Sequence, residues 1–377
     1  MTWYQTLNRG NKICTRSFII VLVSLVFSSP LLTELTELTE LTDKGWLRFT
    51  DKLSEEQCES NRDINAGCIR SSKDLSAIGQ VGPYLVIGGD EAAGPNDDLN
   101  IIQLLLKQVN GEYRVHEDIV LPDVDGEGEE LDIEGIAVDG NFIYVVGSHS
   151  SVRKKTDSEK TVKKNREKFT KREIKNKSAR DWLHRVEVSQ QGRELSTKSI
   201  SLSDVISSHE VLKTFSKIPG KENGVNIEGI SFHDGSVYVG FRGPVFRDNY
   251  VPVLKFIFDE HEESAELLWV KLDGGGIRGM ANTGDGFLLV SGPVGDAPGP
   301  YQVYHWNGQD MVPGKDRDET EDHIKKLGNL EVDEGKAEGI LALQDKHSAG
   351  KDCQYEFMII FDGAFKGNPS VYCFSEP

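Results

Sequence analysis

Short apolar segments, separated by turns that contain glycine, recur along most of the chain. Each copy of the pattern has a short apolar strand, a turn, and then a stronger strand of β-branched or aromatic residues. The copies begin at Asp74, Glu134, Glu228, Arg278 and Glu338. Three of the turns are Asp-Gly pairs, at 139–140, 234–235 and 285–286. Because Asp and Gly accept the positive φ angles of a tight turn, each copy predicts a β-hairpin.

Further alternating segments follow each hairpin, which gives four strands per copy. The third copy, for example, continues with YVPVLKFIFD at 250–259 and AELLWVKLDG at 265–274. The copies start about 50 to 60 residues apart, except for one longer gap that holds an insertion. Four-stranded units at this period are typical of a β-propeller. The sequence therefore predicts an all-β fold, a single propeller of five blades, with six blades as the nearest alternative and a β-sandwich as the competing fold.

The last copy ends after three strands, at VYCFSEP near the C-terminus. The segment GWLRFT at 45–50 is predicted to supply the missing fourth strand and close the ring.

The first strand of each propeller blade lines the central channel, and a hairpin returns the second strand to the same edge. The residues that open the copies should therefore ring one mouth of the channel. The segments that follow the second strands, such as those at 90–91, 148–150 and 242–244, should lie just outside this ring. Glu228 and Arg242 are separated only by one hairpin, and we expect them to be neighbours at the mouth.

Carboxylates crowded at one mouth repel one another unless something compensates them. A hard cation such as Ca²⁺ takes six to eight oxygen ligands and would do so. Ca²⁺ is therefore the candidate cofactor. The candidate metal ligands are Asp74, Asp90, Glu91, Glu134, Glu228 and Glu338. The alternative is that each glutamate accepts backbone N–H bonds at a blade corner and has a structural role only.

Arginine offers a second kind of compensation, because it pairs with carboxylates or holds an anionic ligand through two parallel hydrogen bonds. The predicted ligand-binding residues are Ser148, His149, Glu228, Arg242 and Arg278. His149 is the candidate catalytic acid or base, because histidine titrates near neutral pH. Adjacent strand residues point to opposite faces, so the sequence alone does not pair His149 with Ser148 as a nucleophile.

The formal net charge of −18 argues against general nucleic-acid binding, which needs a basic surface. The exception is a basic insertion at 151–180, in which residues 153–177 hold twelve Lys and Arg against four acids. This insertion is expected to fold over the acidic mouth or to bind anionic surface polymers or lipid headgroups. A solvated loop is the alternative.

The first 29 residues have a basic start and then an apolar run from Phe18 to Phe27. This run is shorter than the roughly 20 residues of a membrane span, and it is typical of an export signal. An uncleaved membrane anchor is the alternative. A repeated Thr-Glu-Leu spacer fills 30–45, and the propeller is expected from 46 to 377. The predicted location is secreted, periplasmic or at the cell envelope.

Four cysteines lie after the predicted signal: Cys58, Cys68, Cys353 and Cys373. An even count in an exported chain permits two disulfides, with three possible pairings, and free buried thiols are the alternative.

Several phrases resemble an uncharacterised bacterial family known as domain of unknown function 3616. They are DLSAI, EGIA with YVVGSHS, EGIS with VYVGFRGPV, GIRGMA and LLVSGP, and the resemblance runs from about Asp74 to the C-terminus. More distantly, the chain is similar to esterase-like phytase propellers. The resemblance implies a propeller but no established activity, and the long basic insertion departs from the family pattern.

Two functions follow from these observations. The first is a secreted, monomeric propeller that binds a small anionic ligand, an ion or a partner's polar loop at the acidic channel mouth. The second is a metal-assisted hydrolase of phosphate or carboxylic esters, with a Ca²⁺-type metal. The absence of HExxH, Walker and Rossmann motifs and of a legible nucleophile–base pair favours binding. Whether the protein is an enzyme stays open at this point.

Overall fold

The computed structural model describes residues 41–375, except 61–62, 97, 127, 171–173, 318–319 and 344–352. The predicted signal at 1–29 and residues 30–40 of the predicted spacer at 30–45 lie outside the described residues, whereas residues 41–45 are described. Within the described chain, no helix is both long and apolar enough to cross a membrane.

The described residues form 23 strands and four short α-helices, and most of the strands belong to five four-stranded blades. Two strands precede the first blade: β1 (Leu41–Trp46) and β2 (Phe49–Thr50). The first blade contains β3 (Leu75–Val81), β4 (Tyr84–Gly89), β5 (Ile101–Lys107) and β6 (Tyr113–Val120). The next strands are β7 (Ile133–Asp139), β8 (Phe142–Gly147), β9 (Ser151–Val152), β10 (Lys175–Asn176), β11 (Trp182–Val188) and β12 (Glu194–Ser201). The second blade is β7, β8, β11 and β12, while β9 and β10 pair with each other inside the basic insertion.

The remaining three blades follow without a long insertion. The third blade contains β13 (Asn226–His233), β14 (Ser236–Gly243), β15 (Tyr250–Phe256) and β16 (Glu266–Lys271). The fourth contains β17 (Gly276–Asn282), β18 (Phe287–Gly292), β19 (Tyr301–Trp306) and β20 (Ile324–Leu330). The fifth contains β21 (Lys336–Ala342), β22 (Tyr355–Asp362) and β23 (Ser370–Phe374). The helices are α1 (Glu55–Ser60), α2 (Val162–Thr170), α3 (Ser203–Ser208) and α4 (Leu212–Phe215).

The ring is closed by β1, which pairs antiparallel with β23 as the fourth strand of the fifth blade. The prediction of five blades is confirmed, and the six-bladed and sandwich alternatives are wrong. The closing strand lies upstream of the predicted segment 45–50, of which only Gly45 and Trp46 belong to β1. Phe49 and Thr50 instead pair in parallel with Tyr113 and Arg114 of β6, because the chain crosses from the last blade to the first at this point.

The hydrophobic core lies between the blades. Five separate clusters of buried side chains each join residues of two neighbouring sheets. Trp306 and Phe287 of the fourth blade, for example, pack with Val253 of the third, and all three are almost fully buried. Because each sheet buries both faces against its neighbours, no blade is stable alone. The five inner strands β3, β7, β13, β17 and β21 contact one another in sequence around the channel.

Both predicted disulfides form, and both are local. Cys58 pairs with Cys68 and Cys353 with Cys373, over sequence separations of 10 and 20 residues. The first ties α1 to the approach to the first blade, and the second joins β23 to the start of β22. The pairing that would tie the two ends of the chain together does not occur.

Candidate functional site

All five inner strands contain a β-bulge at the same place, near one mouth of the channel. In the third blade the register is Ile227 opposite Phe241 and then Gly229 opposite Gly240, so Glu228 is the extra residue. The same shift in the other blades leaves Ser76, Glu134 and Arg278 as extra residues, and it includes Glu338. A bulge re-aims the side chain that it carries. The five bulged positions form what we call the bulge ring: Ser76, Glu134, Glu228, Arg278 and Glu338.

Glycine follows four of the five bulge-ring residues, and the structure gives the reason. A Cβ on Gly279 would lie 2.1 Å from the backbone oxygen of Glu338 on the next inner strand. A Cβ on Gly229 would lie 2.8 Å from a methyl group of Ile277. The Glu-Gly and Arg-Gly pairs therefore combine a polar group for the ring with close approach of neighbouring strands.

The position predicted for the first blade is two residues off. Asp74 was expected in the ring, but Ser76 occupies it, and its hydroxyl donates to the carbonyl of Ile133. The first copy reads Asp-Leu-Ser where the second reads Asp-Ile-Glu, so Asp74 corresponds to Asp132 and not to Glu134. Asp74 lies just outside the ring.

A chain of buried ion pairs joins the third, fourth and fifth blades. Arg242 Nη1 donates to Glu228 Oε1, so the expected neighbourhood of these two residues is present as a direct contact. Arg278 Nη1 lies 2.8 Å from Glu228 Oε2, and its Nη2 lies 2.5 Å from Glu338 Oε1. Arg278 and Glu228 are each 1% exposed. Asn226 also donates to Glu228 Oε1, at 2.7 Å. These two glutamates are thus compensated by two arginines.

Glu134, from the second blade, is different. Within the described chain, its carboxylate has neither an ion-pair partner nor a hydrogen-bond partner, and it faces a cavity at the channel mouth. Burial raises the pKa of Glu134 well above its usual value, and the nearby carboxylates of Glu228, Asp132 and Glu338 raise it further. The ring therefore carries one carboxyl group that makes no direct ion pair in the described chain, although Arg180 and Arg278 attract it from a longer distance.

Two more charged groups sit around the ring. In the second blade, Arg180 pairs with Glu130 and, at 2.8 Å, with Asp132. In the fifth blade, Lys336 Nζ lies 2.5 Å from Asp362 Oδ2. Arg180 directly precedes β11, Asp132 directly precedes β7, and Lys336 begins β21 while Asp362 ends β22.

Asp74, Asp90 and Asp362 lie together beside this second group. One carboxylate oxygen from each falls within 4.8 Å of the other two. Asp362 is paired with Lys336, whereas Asp74 and Asp90 make no ion pair in the described chain, and Lys336 and Lys73 act on Asp74 only from a longer distance. Burial, together with Asp362, Asp132 and other acids, raises the pKa of Asp90 to about 9. Burial likewise raises the pKa of Asp74.

The cavity at this mouth has a volume of about 440 Å³. Its wall includes Asp90, Asp132, Glu134, Glu338 and Asp362, which are acidic. The insertion contributes Arg153, Lys154, Lys155 and Phe169 to the rim, and Glu91 is also part of the wall. The cavity at the opposite mouth, about 360 Å³, has no titratable residue in its wall and is lined by residues such as Ile136, Ile230 and Met280. The charged chemistry is therefore confined to one end of the channel.

The Ser-His-Ser phrase is buried behind this wall. His149 Nδ1 lies 2.8 Å from the carbonyl of Gly147, and its Nε2 accepts from the N–H of Leu202 at 3.4 Å. Burial lowers the pKa of His149. The Ser148 and Ser150 hydroxyls hydrogen-bond to each other at 2.9 Å, and only Ser150 reaches the cavity wall. The structure therefore surrounds His149 with backbone partners and places it outside the cavity.

The basic insertion contributes to the rim, as one of the expectations for it required. Arg153 makes two hydrogen bonds to the carboxylate of Glu222, at 2.6 and 3.2 Å, and this pair holds the start of the insertion beside the third blade. Its Nη1 also donates to the carbonyl of Phe169 at the end of α2. The described residues of the insertion, 151–170 and 174–180, thus form a strap that contains β9, α2 and β10.

Several polar residues at the mouth were not predicted from the sequence: Asp132, Arg180, Asn226, Lys336 and Asp362. Three of them, Asp132, Asn226 and Lys336, precede a ring residue by two positions, and Asp362 lies at the end of a second strand, near the positions that Asp90 and Arg242 occupy in their blades. Aligning all five hairpins at these two positions would have found these four. Arg180 follows the insertion, and no repeat marks it.

A family model described as "Protein of unknown function (DUF3616)" matches residues 74–367. The chain belongs to this family. The match contains all five bulge-ring residues and the whole strap. No curated protein matches the chain.

Three solved structures illustrate the fold similarity. An exo-beta-1,3-galactanase from Phanerochaete chrysosporium, with beta-1,3-galactotriose, is 12% identical over 83% of this chain and 61% of its own, with a TM-score of 0.40. Hydrazine synthase of Kuenenia stuttgartiensis is 11% identical over 78% and 66%, with a TM-score of 0.34. Sqt1 of Saccharomyces cerevisiae is 8% identical over 84% and 100%, with a TM-score of 0.32. The chain thus spans less than two thirds of the length of the first two proteins. Similarity at this level carries no functional argument.

Proposed function

We propose that the protein binds a small positively charged ligand in the cavity at the charged mouth of its channel, with Ca²⁺ as the first candidate. The observation that supports this most is Glu134, a bulge-ring carboxylate that faces the cavity and has no partner in the described chain. Asp90 and Asp74 add two more acids that make no ion pair in the described chain. A hard cation bound by carboxylate oxygens would compensate acids of this kind.

The ligand is bound rather than converted in this proposal. His149, the candidate acid or base from the sequence, hydrogen-bonds to backbone atoms behind the cavity wall. A nucleophile and a base must lie within hydrogen-bond reach of each other and of the substrate. Ser150, which does reach the wall, is paired with Ser148. This arrangement favours binding over ester hydrolysis.

Binding is proposed to take place outside the cytoplasm. Two disulfides are typical of an oxidising compartment. The basic and apolar pattern of residues 1–29 is typical of an export signal. Cell fractionation with an antibody against the propeller tests this part, and recovery in the cytoplasm alone would contradict it.

Isothermal titration calorimetry of metal-free protein with Ca²⁺ and, separately, with Mg²⁺ tests the binding proposal. We expect saturable binding that the Glu134→Gln variant loses while its melting temperature stays equal or rises, because Gln removes a buried carboxyl group whose ionisation costs free energy in the folded state. Glu266→Gln, on an exposed outer strand, is the matched control and should bind as the unmodified protein does.

Two outcomes would contradict the proposal. Absence of binding heat with both ions would exclude the proposed cation as the ligand. Equal affinity in Glu134→Gln would exclude Glu134 as a binding residue. Phosphate and carboxylic ester substrates are assayed in parallel, with and without chelator. Turnover that both the chelator and Glu134→Gln abolish would make the protein a metal-assisted hydrolase instead.

A further inference from the structure

The outer face of α2 combines exposed apolar and basic side chains. Val162 and Phe169 are 67% and 61% exposed. They are seven residues apart, so they lie on the same side of the helix. Arg166, four residues after Val162, is exposed on the same side, and Lys163, three residues before Arg166, is exposed next to it. We call these four residues the α2 face.

Other groups of α2 are attached to the rest of the strap, which fixes the direction of this face. Lys168 is only 3% exposed, and its ammonium group donates to the carbonyl of Lys155. The side chain of Asn165 donates to the carbonyl of Asp157 at 2.8 Å. Arg153, bound to Glu222 on the body, donates to the carbonyl of Phe169. The helix therefore cannot turn its apolar pair inward without breaking these contacts.

We propose that the α2 face docks the protein onto a lipid surface rich in anionic headgroups. Lys163 and Arg166 match the negative charge of such a surface, and Val162 and Phe169 can enter the boundary between headgroups and acyl chains. A soluble polyanion would pair with the two basic residues but would gain nothing from the apolar pair. The net charge of −18 repels an anionic surface elsewhere, so contact is restricted to this basic strap.

Docking in this way would also orient the cavity. Phe169 and Lys155 belong to the strap and line the rim of the cavity at the charged mouth. A propeller bound through α2 therefore holds that rim beside the membrane surface. This inference does not depend on what the cavity binds.

Flotation of the full chain with vesicles tests the inference. We expect binding to vesicles of phosphatidylglycerol and phosphatidylcholine, weaker binding to phosphatidylcholine alone, and release as salt rises. Lys163→Gln combined with Arg166→Gln should weaken binding by about 25-fold, at about fivefold for each charge removed. Val162→Ser combined with Phe169→Ser should weaken it about tenfold or more. Val109→Ser is the matched control, because Val109 is fully exposed in a turn of the first blade, and it should have no effect.

All variants carry the same N-terminal segment, so differences between them report on α2. Circular dichroism melts confirm that each variant is folded. Vesicle binding that is insensitive to both double variants overturns the inference, as does the absence of binding. Binding that depends on the basic pair but not on the apolar pair also overturns it, because such binding needs only anionic charge and no entry of α2 into the lipid boundary.

Discussion

Replacing Arg278 by methionine tests the chain of buried ion pairs most sharply. The side chain of Arg278 is 1% exposed, and it bridges Glu228 and Glu338 from the two blades that flank its own. Its removal leaves Glu228 with Arg242 and Asn226 but takes from Glu338 its contact with a cation. Breaking a buried pair in this way costs about 3–5 kcal/mol. We expect a loss of unfolding free energy in this range at pH 8.

The loss should depend on pH, and its sign follows from Glu338. Burial already raises the pKa of Glu338 to about 7, with Arg278 acting in the opposite direction. Without Arg278 that pKa rises further, so the folded variant binds a proton that the folded unmodified protein releases. The variant's deficit should therefore be smaller at pH 5 than at pH 8. Adding Glu338→Gln to Arg278→Met should recover part of the loss at pH 8.

Urea unfolding followed by tryptophan fluorescence measures these differences. Lys326→Met is the matched control in the same blade, because Lys326 pairs with Asp273 at the surface. An exposed pair of this kind contributes about 0–1 kcal/mol. If Arg278→Met and Lys326→Met cost the same, or if the deficit does not change between pH 5 and pH 8, the proposed buried network does not stabilise the ring.

Three further predictions concern the mouth. In chelator, Asp90→Asn should be more stable than the unmodified protein at pH 8 but not at pH 4. The pKa of Asp90 in the folded state is about 9, so the folded protein keeps a proton that the unfolded chain releases near pH 4. Thermal melts at the two pH values would show the difference in stability. Gly279→Ala should lower the unfolding free energy by about 1–3 kcal/mol, because its Cβ would meet the backbone oxygen of Glu338. Arg153→Ala should leave the melting temperature nearly unchanged but speed trypsin cleavage within the strap, because the pair with Glu222 is partly exposed.

The architecture was predictable because every blade of a propeller has the same pattern of strands and turns. Every blade opens with an apolar strand and a turn that accepts positive φ. At the third hairpin, Asp234 and Gly235 both have the left-handed φ of a type I′ turn, at 46° and 74°. Such local signals fix which residues face each other across the hairpin. This register allowed us to predict that Glu228 lies beside Arg242. The prediction failed where the local signal was ambiguous, as when Asp74 and Ser76 competed for the ring position.

The charges that compensate one another were less predictable. Arg180 pairs with Asp132 only because the strap leaves and rejoins the second blade at the mouth. The path of that insertion is set by contacts such as Arg153 with Glu222, far apart in sequence. Whether a carboxylate has a partner therefore depends on all such long-range contacts together. Glu134 therefore could not be distinguished from Glu228 by its own motif, since both read Ile-Glu-Gly-Ile.

A crystal structure of the protein grown with Ca²⁺, with the ion identified by its anomalous signal, tests the proposed cation site at Glu134. We expect an ion in the cavity at the charged mouth, with a carboxylate oxygen of Glu134 about 2.3–2.6 Å from it. The same crystals of Glu134→Gln should lack that signal. An ion bound only by Asp74, Asp90 and Asp362 would contradict the proposed site. So would a cavity without an ion in which Glu134 contacts another side chain.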